Sequence, residues 1–297
     1  METTASTASS SSFVVLAGVI DKTGSMNSDF EPVPQAGGGG IHAPMKPVPA
    51  GTITMRNART NSVRDVELAE FLISATQVTR GQWAHLCGEL GPESSEAEIP
   101  VHPVTFFDAV RWCNKASQFA GFSPAYTFND TSVSWDVSAN GYRLPTEAEW
   151  EWACRARTTT PTYGALAEIA WTKGDQMGGP QPVARKESND FGLYDMIGNL
   201  WEWCWDYADV ARYGSYRSLR GGGWADAPYS ARASVRRGSA PDAILEDVGF
   251  RVARGAVGAP GLNAAQGWSA AADRLRADIR GPLPMGWTPL RSLLNDY

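Results

Sequence analysis

Residues 192–206 read Gly-Leu-Tyr-Asp-Met-Ile-Gly-Asn-Leu-Trp-Glu-Trp-Cys-Trp-Asp, a mixture of aromatic and acidic residues that few folds accommodate. Trp201, Trp203 and Trp205 alternate, which predicts one face of an extended, partly buried strand. The preceding Gly198-Asn199 pair predicts a tight turn, because both residues tolerate positive φ. The acids lie in the turn or on the opposite face, where carboxylate and carbonyl oxygens suit a hard cation such as Ca²⁺.

Composition limits the class of protein. The 297 residues are 43% hydrophobic, enough for one large domain with tails. A net charge of −6 argues against generic nucleic-acid binding, which needs a basic face. Twelve tryptophans and 30 glycines are typical of a loop-rich fold with an aromatic core. We therefore expect a protein or a small molecule as the ligand, and no nucleic acid.

Cysteine usage and hydropathy bear on location. The four cysteines show no metal-binding spacing and sit among apolar residues, so buried free thiols are expected: Cys87, Cys113, Cys154 and Cys204. Free thiols are typical of a reducing compartment. The apolar run at residues 13–20 is too short to span a bilayer and lacks the basic residues that precede a secretory signal. We therefore expect a cytoplasmic protein with no membrane span.

Helix signals lie between these features. A helix is expected from about Val78, and apolar residues at helical spacing predict a second helix within residues 103–119, with Phe119 on its apolar face. Thr146 and Glu149 have the spacing of a capping box that begins a third helix. The acids of that helix are therefore expected to cap and form ion pairs rather than to catalyse.

Three further blocks accompany residues 192–206. They are the strand-like Pro-Ala-Gly-Thr-Ile-Thr-Met at 49–55, Asn-Gly-Tyr-Arg-Leu-Pro-Thr-Glu-Ala-Glu-Trp at 140–150, and Leu-Arg-Gly-Gly-Gly-Trp at 219–224 with Val-Gly-Phe-Arg-Val at 248–252. In this order the blocks resemble the formylglycine-generating enzyme family, also called sulfatase-modifying factors. The resemblance implies an α+β fold, a variant of the C-type lectin fold with low regular secondary structure.

The resemblance also divides the chain. It covers residues 45–254 and leaves residues 1–44 as a disordered or docking segment with a Gly-rich linker. Residues 255–297 form a C-terminal extension, in which apolar spacing predicts an amphipathic helix over residues 264–279.

The residues of this chain do not fit two catalytic chemistries that occur in the family it resembles. Members that make formylglycine hold Cu(I) between two thiolates after the Gly-Gly pair, but Asp226 and Ala231 stand at those positions and no cysteine follows Cys204. Other members carry iron on histidines from an additional domain. This chain has three histidines, His42, His85 and His102, which we expect to be ordinary surface or core residues.

A structural Ca²⁺ site is also implied by the resemblance. Its ligands by position are the side chains of Asp195 and Glu202 and the carbonyl oxygens of Gly198 and Leu200. Ordinary turn and strand hydrogen bonding is the alternative role for the two acids. The family's second calcium segment corresponds to residues 168–171, which lack its asparagine.

The segment from residue 224 to 247 resembles the binding surface of retroelement-diversified variable proteins, such as phage tropism determinants, in which a rigid frame presents exchangeable side chains. A plain surface loop is the alternative. Arg232, Arg236 and Arg251 are expected to pair with the acids of the Trp-Glu-Trp block. The predicted ligand-binding residues are Ala225, Asp226, Ala227, Tyr229, Ser230, Gly238, Ser239, Ala240 and Asp242.

Two functions follow from these patterns. The first is a non-catalytic module that binds a protein or small ligand. It is either a diversified, virion-associated binder or an immunity-type or accessory protein that blocks a toxin or supports a kinase pathway. The alternative is a metal-dependent oxidoreductase with an atypical site, in which Cys204 is the leading candidate thiol.

Overall fold

The computed structural model describes residues 44–57, 61–89, 91–129 and 132–276. The predictions for residues 1–43, including His42 and the apolar run, lie outside this part of the chain. The strands are β1 Met45–Val48, β2 Gly51–Asn57, β3 Ser62–Leu68, β4 Phe71–Ser74, β5 Tyr126–Asn129, β6 Ser132–Trp135, β7 Tyr142–Arg143, β8 Trp201–Tyr207, β9 Arg217–Arg220, β10 Arg236–Ser239, β11 Val248–Gly249, β12 Ala253–Arg254, β13 Ala264–Ala265 and β14 Trp268–Ser269.

The helices are short, and long loops connect them. They are α1 Arg80–Cys87, α2 Phe106–Phe119, α3 Glu147–Arg155, α4 Leu166–Ile169, α5 Val210–Tyr213 and α6 Ala270–Arg276, with single 3₁₀ turns at Lys173–Asp175 and Pro228–Ser230. This arrangement confirms the predicted α+β fold with little regular secondary structure. None of the described helices is both long and apolar enough to cross a membrane.

Two four-stranded sheets organise the described domain. One has the order β1-β4-β12-β7, so the closing strand β12 lies between strands from the beginning and middle of the chain. The other has the order β10-β9-β8-β11 and is antiparallel except for the β11–β8 pair. Hairpins β2-β3, β5-β6 and β13-β14 pack around them. This order places β8, the Trp-Glu-Trp segment, in the interior of its sheet.

Strand β8 is buried on both faces, which corrects the prediction of a partly buried strand. Trp201, Trp203 and Trp205 join one hydrophobic cluster with α2, as their alternation predicts. On the opposite side Cys204 joins a second cluster, and Glu202 is fully buried. A carboxylate at this position requires internal partners, because an unpaired buried charge is strongly unfavourable.

Helix α2 lies within the predicted residues 103–119, and α3 begins at the predicted capping box. Thr146 caps α3 through the amide of Glu149, whose carboxylate accepts the Thr146 amide in return, a capping box as expected. Glu149 also forms a fully buried ion pair with Arg143 at 2.7 Å. At the end of α2, Phe119 is exposed and its ring contacts His85, so the prediction that it lies on the buried face is wrong.

The segment after residue 255 corrects another prediction. Residues 264–269 form the β13-β14 hairpin, and α6 begins only at Ala270. Gln266 and Gly267 both have positive φ, which closes this hairpin and prevents a continuous helix over 264–279. Residues 277–279 lie outside the described chain. The hairpin packs on the domain, since the Thr146 hydroxyl donates to the Gln266 carbonyl oxygen.

Candidate functional site

Asp226, which the resemblance places at the family's first catalytic cysteine, has a carboxylate that is engaged in the fold. Oδ2 of Asp226 accepts the indole N–H of Trp201 at 2.6 Å and the Gly223 amide at 2.9 Å. Its backbone carbonyl accepts the Lys173 amide at 2.9 Å. Asp226 therefore ties the loop after Gly223 to strand β8 and to the 3₁₀ turn at Lys173.

Ala231, which the resemblance places at the second cysteine position, and the candidate thiol Cys204 both lie in the core. Ala231 is buried, and its methyl group packs in the cluster that also contains Ala233. The thiol of Cys204 is buried in the same cluster. Burial raises its pKa well above the ordinary value, so Cys204 remains protonated at neutral pH. A protonated core thiol has neither the charge nor the access that a reactive cysteine needs.

The nine predicted ligand-binding residues fall into two groups. Residues 225–230 form a loop beside the 3₁₀ turn at Lys173. Residues 238–242 cover the end of β10 and the loop that follows it, where the Pro241 carbonyl oxygen accepts the Phe106 amide. Within these groups Ala225, Tyr229 and Asp242 are exposed, Ser239 is buried, and the others are half-buried: Asp226, Ala227, Ser230, Gly238 and Ala240.

Strand register separates the two groups. Arg236 pairs with Arg220, beside the Gly-Gly-Gly turn, whereas Ser239 pairs with Arg217 at the other end of β9. Each group has a large exposed apolar side chain in it or beside it: Tyr229, at 76%, belongs to the first group, and Ile244, at 75%, follows the second. The exposed part of the segment is therefore a pair of loops at the two ends of β9 and β10.

The closing arginines have different partners. Arg251 forms a fully buried ion pair with Glu202 at 2.7 Å, as predicted. Arg236 instead pairs with Glu147 at the start of α3, at 2.6 Å, so the prediction of a partner in the Trp-Glu-Trp block is wrong for Arg236. Arg232 is exposed and forms no ion pair with the described residues. Of these three arginines, Arg251 thus pairs with an acid of the 192–206 block.

Glu202, a predicted calcium ligand, is already surrounded by donors. Its Oε2 accepts the Trp150 indole N–H at 2.7 Å and Arg251 Nε at 2.7 Å. Its Oε1 accepts Arg251 Nη2 at 2.8 Å and Gln77 Nε2 at 3.0 Å. Gln77 Nε2 also donates to the carbonyl of Leu200, 123 positions away in the chain, at 2.9 Å. Sequence reasoning missed Gln77, because only tertiary contact connects it with this site.

Asp195, by contrast, has a carboxylate oxygen without a donor. One oxygen, Oδ2, accepts the Ala184 amide at 2.8 Å, while the buried Oδ1 accepts no hydrogen bond from the described residues. Burial raises the pKa of Asp195 to about 6, although the Ala184 amide and Arg251 act in the opposite direction. The donor set thus fits a cation at Asp195 and, for Glu202 and Leu200, only if Gln77 yields its hydrogen bonds.

Gly198 has the geometry that a turn at this site requires. Its φ is +80°, and a Cβ placed on it would lie 2.3 Å from the carbonyl oxygen of Trp171. Asn199 also adopts positive φ. The Gly-Asn turn therefore forms as predicted, and it presses against residue 171.

The segment corresponding to the family's second calcium region contains an internal cation. Lys186 Nζ donates to the carbonyl oxygens of Ala167 and Ala170 at 2.8 and 2.7 Å and to Asp175 Oδ1 at 2.7 Å. It also lies 4.2 Å from the centre of the Trp171 ring. Three oxygens and an aromatic face surround this ammonium group, which no sequence pattern had indicated. No cluster of three or more acidic, histidine or cysteine side chains suited to a metal occurs among the described residues.

Comparison with known proteins places this geometry in a family. Residues 42–256 match the model described as sulfatase-modifying factor enzyme 1-like domain. The chaperone protein LppX of Paenibacillus barcinonensis is 30% identical over 232 residues, which cover 65% of this chain and 83% of that protein. The inactive C-alpha-formylglycine-generating enzyme 2 of Bos taurus is 35% identical over 175 residues, covering 50% of this chain and 58% of that protein.

Solved structures share the fold. Treponema denticola variable protein 1 superposes with a TM-score of 0.64 at 28% identity, covering 71% of this chain and 94% of that one. PvdO from Pseudomonas aeruginosa has a TM-score of 0.58 at 26% identity, with the same coverage of 71% and 94%. Together with the sequence match over residues 42–256, these likenesses show that the chain belongs to the formylglycine-generating enzyme-like, or sulfatase-modifying factor, family.

Proposed function

We propose that this chain is a non-catalytic module that binds a protein or small ligand through the segment from residue 224 to 247. The contact between Trp201 and Asp226 carries the proposal. A carboxylate that accepts the Trp201 indole at 2.6 Å and the Gly223 amide at 2.9 Å is a hard, already occupied ligand. Such a group does not hold Cu(I), which prefers thiolates.

The relatives support a binding role. The Bos taurus relative is named an inactive formylglycine-generating enzyme, although this chain spans only 58% of it. The Treponema denticola neighbour is named a variable protein. The proposal extends these descriptions to this chain, whose predicted surface we take to be a variable surface that a retroelement diversifies on a constant frame.

Strand pairing and an ion pair hold the backbone behind the proposed surface in place. Strand β10 pairs residue by residue with β9, and Arg237 forms an ion pair with Asp247 at 3.2 Å across the loop. Tyr229 and Ile244 are held on this frame with most of their surface exposed. Apolar and aromatic side chains presented by rigid loops are the anchors of many binding surfaces.

A pull-down with the purified chain tests this function. The wild-type protein is expected to capture a specific partner, and the Tyr229→Ala/Ile244→Ala double variant is expected to lose it. Phe119→Ala is the matched control, since Phe119 is also a large exposed apolar residue, at 53%, but lies at the last position of α2. Equal capture by the double variant and wild type would exclude residues 224–247 as the surface.

Metal analysis separates this proposal from the alternative, a metal-dependent oxidoreductase with an atypical site. We expect neither copper nor iron in stoichiometric amount. The protonated, buried Cys204 gives that alternative no support. Stoichiometric copper or iron together with oxidation of a peptide substrate would overturn the non-catalytic proposal.

We further propose a structural Ca²⁺ ion held by Asp195 and Glu202 and by the carbonyl oxygens of Gly198 and Leu200. The buried Asp195 Oδ1 without a hydrogen-bond donor supports it. A bound ion that prefers the folded state raises the unfolding temperature. Ca²⁺ is expected to stabilise wild type relative to a chelator and to leave Asp195→Asn unchanged. Equal unfolding temperatures of wild type with Ca²⁺ and with chelator would exclude the site.

A further inference from the structure

Lys186 has all three donors of its ammonium group engaged inside the fold. Its Nζ donates to the carbonyl oxygens of Ala167 and Ala170 at 2.8 and 2.7 Å and to Asp175 Oδ1 at 2.7 Å. An ammonium group has three N–H donors and no acceptor, so these contacts satisfy it completely. Only 8% of the side chain is exposed, and the centre of the Trp171 ring lies 4.2 Å from Nζ. The site is therefore built around one small cation, and the chain itself supplies that cation.

The local sequence makes these oxygens available. Helix α4 ends at Ile169, so the carbonyl oxygens of its last turn have no partner within the helix, and a lysine side chain is a common partner for such groups. Asp175 ends the 3₁₀ turn that follows, and its second oxygen, Oδ2, accepts the Thr172 amide at 2.9 Å. Although burial raises the pKa of Asp175, hydrogen bonds from Lys186 and Thr172 hold it below its ordinary value, so the side chain is a carboxylate at neutral pH.

The same residues do not fit a calcium ion. The resemblance assigns residues 168–171 to the family's second calcium segment, whose asparagine is missing here. Ca²⁺ takes about six to eight oxygen ligands at roughly 2.3–2.6 Å, whereas Lys186 Nζ already contacts the three oxygens that the described residues supply at this place. Asp175 and Lys186 form an ion pair, so the carboxylate is balanced by the ammonium and a dication beside them would be repelled.

The 3₁₀ turn connects this site with the proposed binding surface. The amide of Lys173, the first residue of the turn, donates to the carbonyl oxygen of Asp226 at 2.9 Å. A Cβ built on Gly174, the second residue, would lie 3.7 Å from Pro228 Cγ, so the turn also packs against the loop in which Asp226 and Pro228 lie. Asp175, the third residue, is the one that Lys186 holds. Short contacts thus lead from the ammonium group to the first group of predicted ligand-binding residues.

We propose that the Lys186 ammonium replaces the second metal ion of the family fold and, through Asp175 and the 3₁₀ turn, holds loop 225–230 in position. Lys186 is in this sense a positioning residue for the binding surface, and no divalent ion is required at this place. Residues 225–230 belong to the surface of the proposed function, and in that respect alone the assignment rests on it. The tests below use no binding partner, so their failure is distinguishable from a failure of the proposed function.

Calcium binding to the full chain tests the replacement. Equilibrium dialysis against Ca²⁺ gives the number of ions bound by Asp195→Asn, which lacks the carboxylate of the other proposed site. We expect no stoichiometric Ca²⁺ in this variant and at most one ion in the wild type. A tightly bound ion in Asp195→Asn, or two in the wild type, would overturn the proposal. A wild type without bound Ca²⁺ would agree with it and would refute only the separate calcium site at Asp195.

Hydrogen exchange tests the link to the loop. In Lys186→Ala the Lys173 amide, which donates to Asp226, is expected to exchange about tenfold faster or more, because the turn loses the donor that holds it. The amides of α1 are expected to keep their wild-type rates, since the effect is local. Arg185→Ala is the matched control, because it removes an exposed positive charge next to Lys186. Wild-type exchange at Lys173 in Lys186→Ala, or an equal increase in α1 or in Arg185→Ala, would refute the positioning role.

Chemical rescue shows whether the site recognises an ammonium group. Propylammonium matches the part of the lysine side chain from Cγ to Nζ, and we expect it to slow the exchange of the Lys173 amide in Lys186→Ala. Tetramethylammonium, which has the same charge but no N–H donor, is expected to have no effect. Equal effects of the two ions, or no effect of either, would overturn the assignment of the site to an ammonium group. The calcium content of the wild type decides the replacement even if Lys186→Ala does not fold.

Discussion

Arg251 donates hydrogen bonds to both carboxylate oxygens of Glu202, from Nε to Oε2 at 2.7 Å and from Nη2 to Oε1 at 2.8 Å. Both side chains are fully buried. The pair joins strand β8 to the end of the domain, 49 positions later in the chain. Two charges in the interior are tolerable only because this bidentate geometry satisfies both.

Breaking this pair is expected to be severe. Arg251→Met leaves the Glu202 carboxylate buried without its counter-charge, which typically costs about 3–5 kcal/mol of unfolding free energy. Denaturant unfolding followed by tryptophan fluorescence measures the loss. Arg232→Met, which removes an exposed arginine, is the control and is expected to change stability by less than about 0.5 kcal/mol. Similar stabilities of the two variants would contradict a structural role for the pair.

Lys186 is expected to stabilise its loop as an internal cation. Lys186→Met keeps most of the stem but removes the donor to Ala167, Ala170 and Asp175, which leaves acceptors unsatisfied at a cost of about 1–3 kcal/mol. The neighbouring exposed Arg185 provides a control, because Arg185→Met changes net charge equally. Thermal unfolding compares the two variants. Loss of stability in both to the same extent would mean that charge alone matters.

We expect the stability of the protein, measured in the presence of a chelator, to depend on pH through Asp195. Its folded pKa, raised by burial to about 6, exceeds the ordinary unfolded value near 3.9, so the folded state binds the proton more tightly. The resulting contribution to the free energy of unfolding is at most about 3 kcal/mol. It is fully present below about pH 4 and is lost as the pH rises through about 6. Asp195→Asn is expected to abolish that loss in unfolding measured across the same range. The same dependence of stability on pH in Asp195→Asn as in the wild type would contradict this prediction.

The turn at Gly198 is expected to exclude any side chain. In Gly198→Ala the new Cβ would meet the Trp171 carbonyl oxygen at 2.3 Å and would sit at a φ of +80°. Strain and displaced backbone together predict a loss of more than about 2 kcal/mol, or failure to fold. Gly179→Ala is the matched control, because a Cβ there meets nothing within 4 Å. Wild-type stability of Gly198→Ala would show that the turn rearranges readily.

Local patterns allowed much of this protein to be predicted. The alternating tryptophans defined β8, the Thr146–Glu149 spacing defined the start of α3, and the ordered blocks defined the family. These features depend on residues close together in the chain, so their physical causes are visible in the sequence. The same patterns overextended the C-terminal helix, because positive φ at Gln266 and Gly267 depends on packing.

Partnerships between distant residues depended on the tertiary structure. The resemblance places Asp226 at a cysteine position, but the sequence did not indicate that its carboxylate accepts the Trp201 indole. The pairing of Arg251 with an acid of the Trp-Glu-Trp block was predicted, whereas the contact of Gln77 with Glu202 became visible only in the structure. No sequence pattern indicated the contact of Lys186 with Asp175 or the stacking of Tyr213 on Tyr216. Side-chain composition and spacing determine the local elements, whereas the contacts of buried charges follow from how those elements pack, which no single segment encodes.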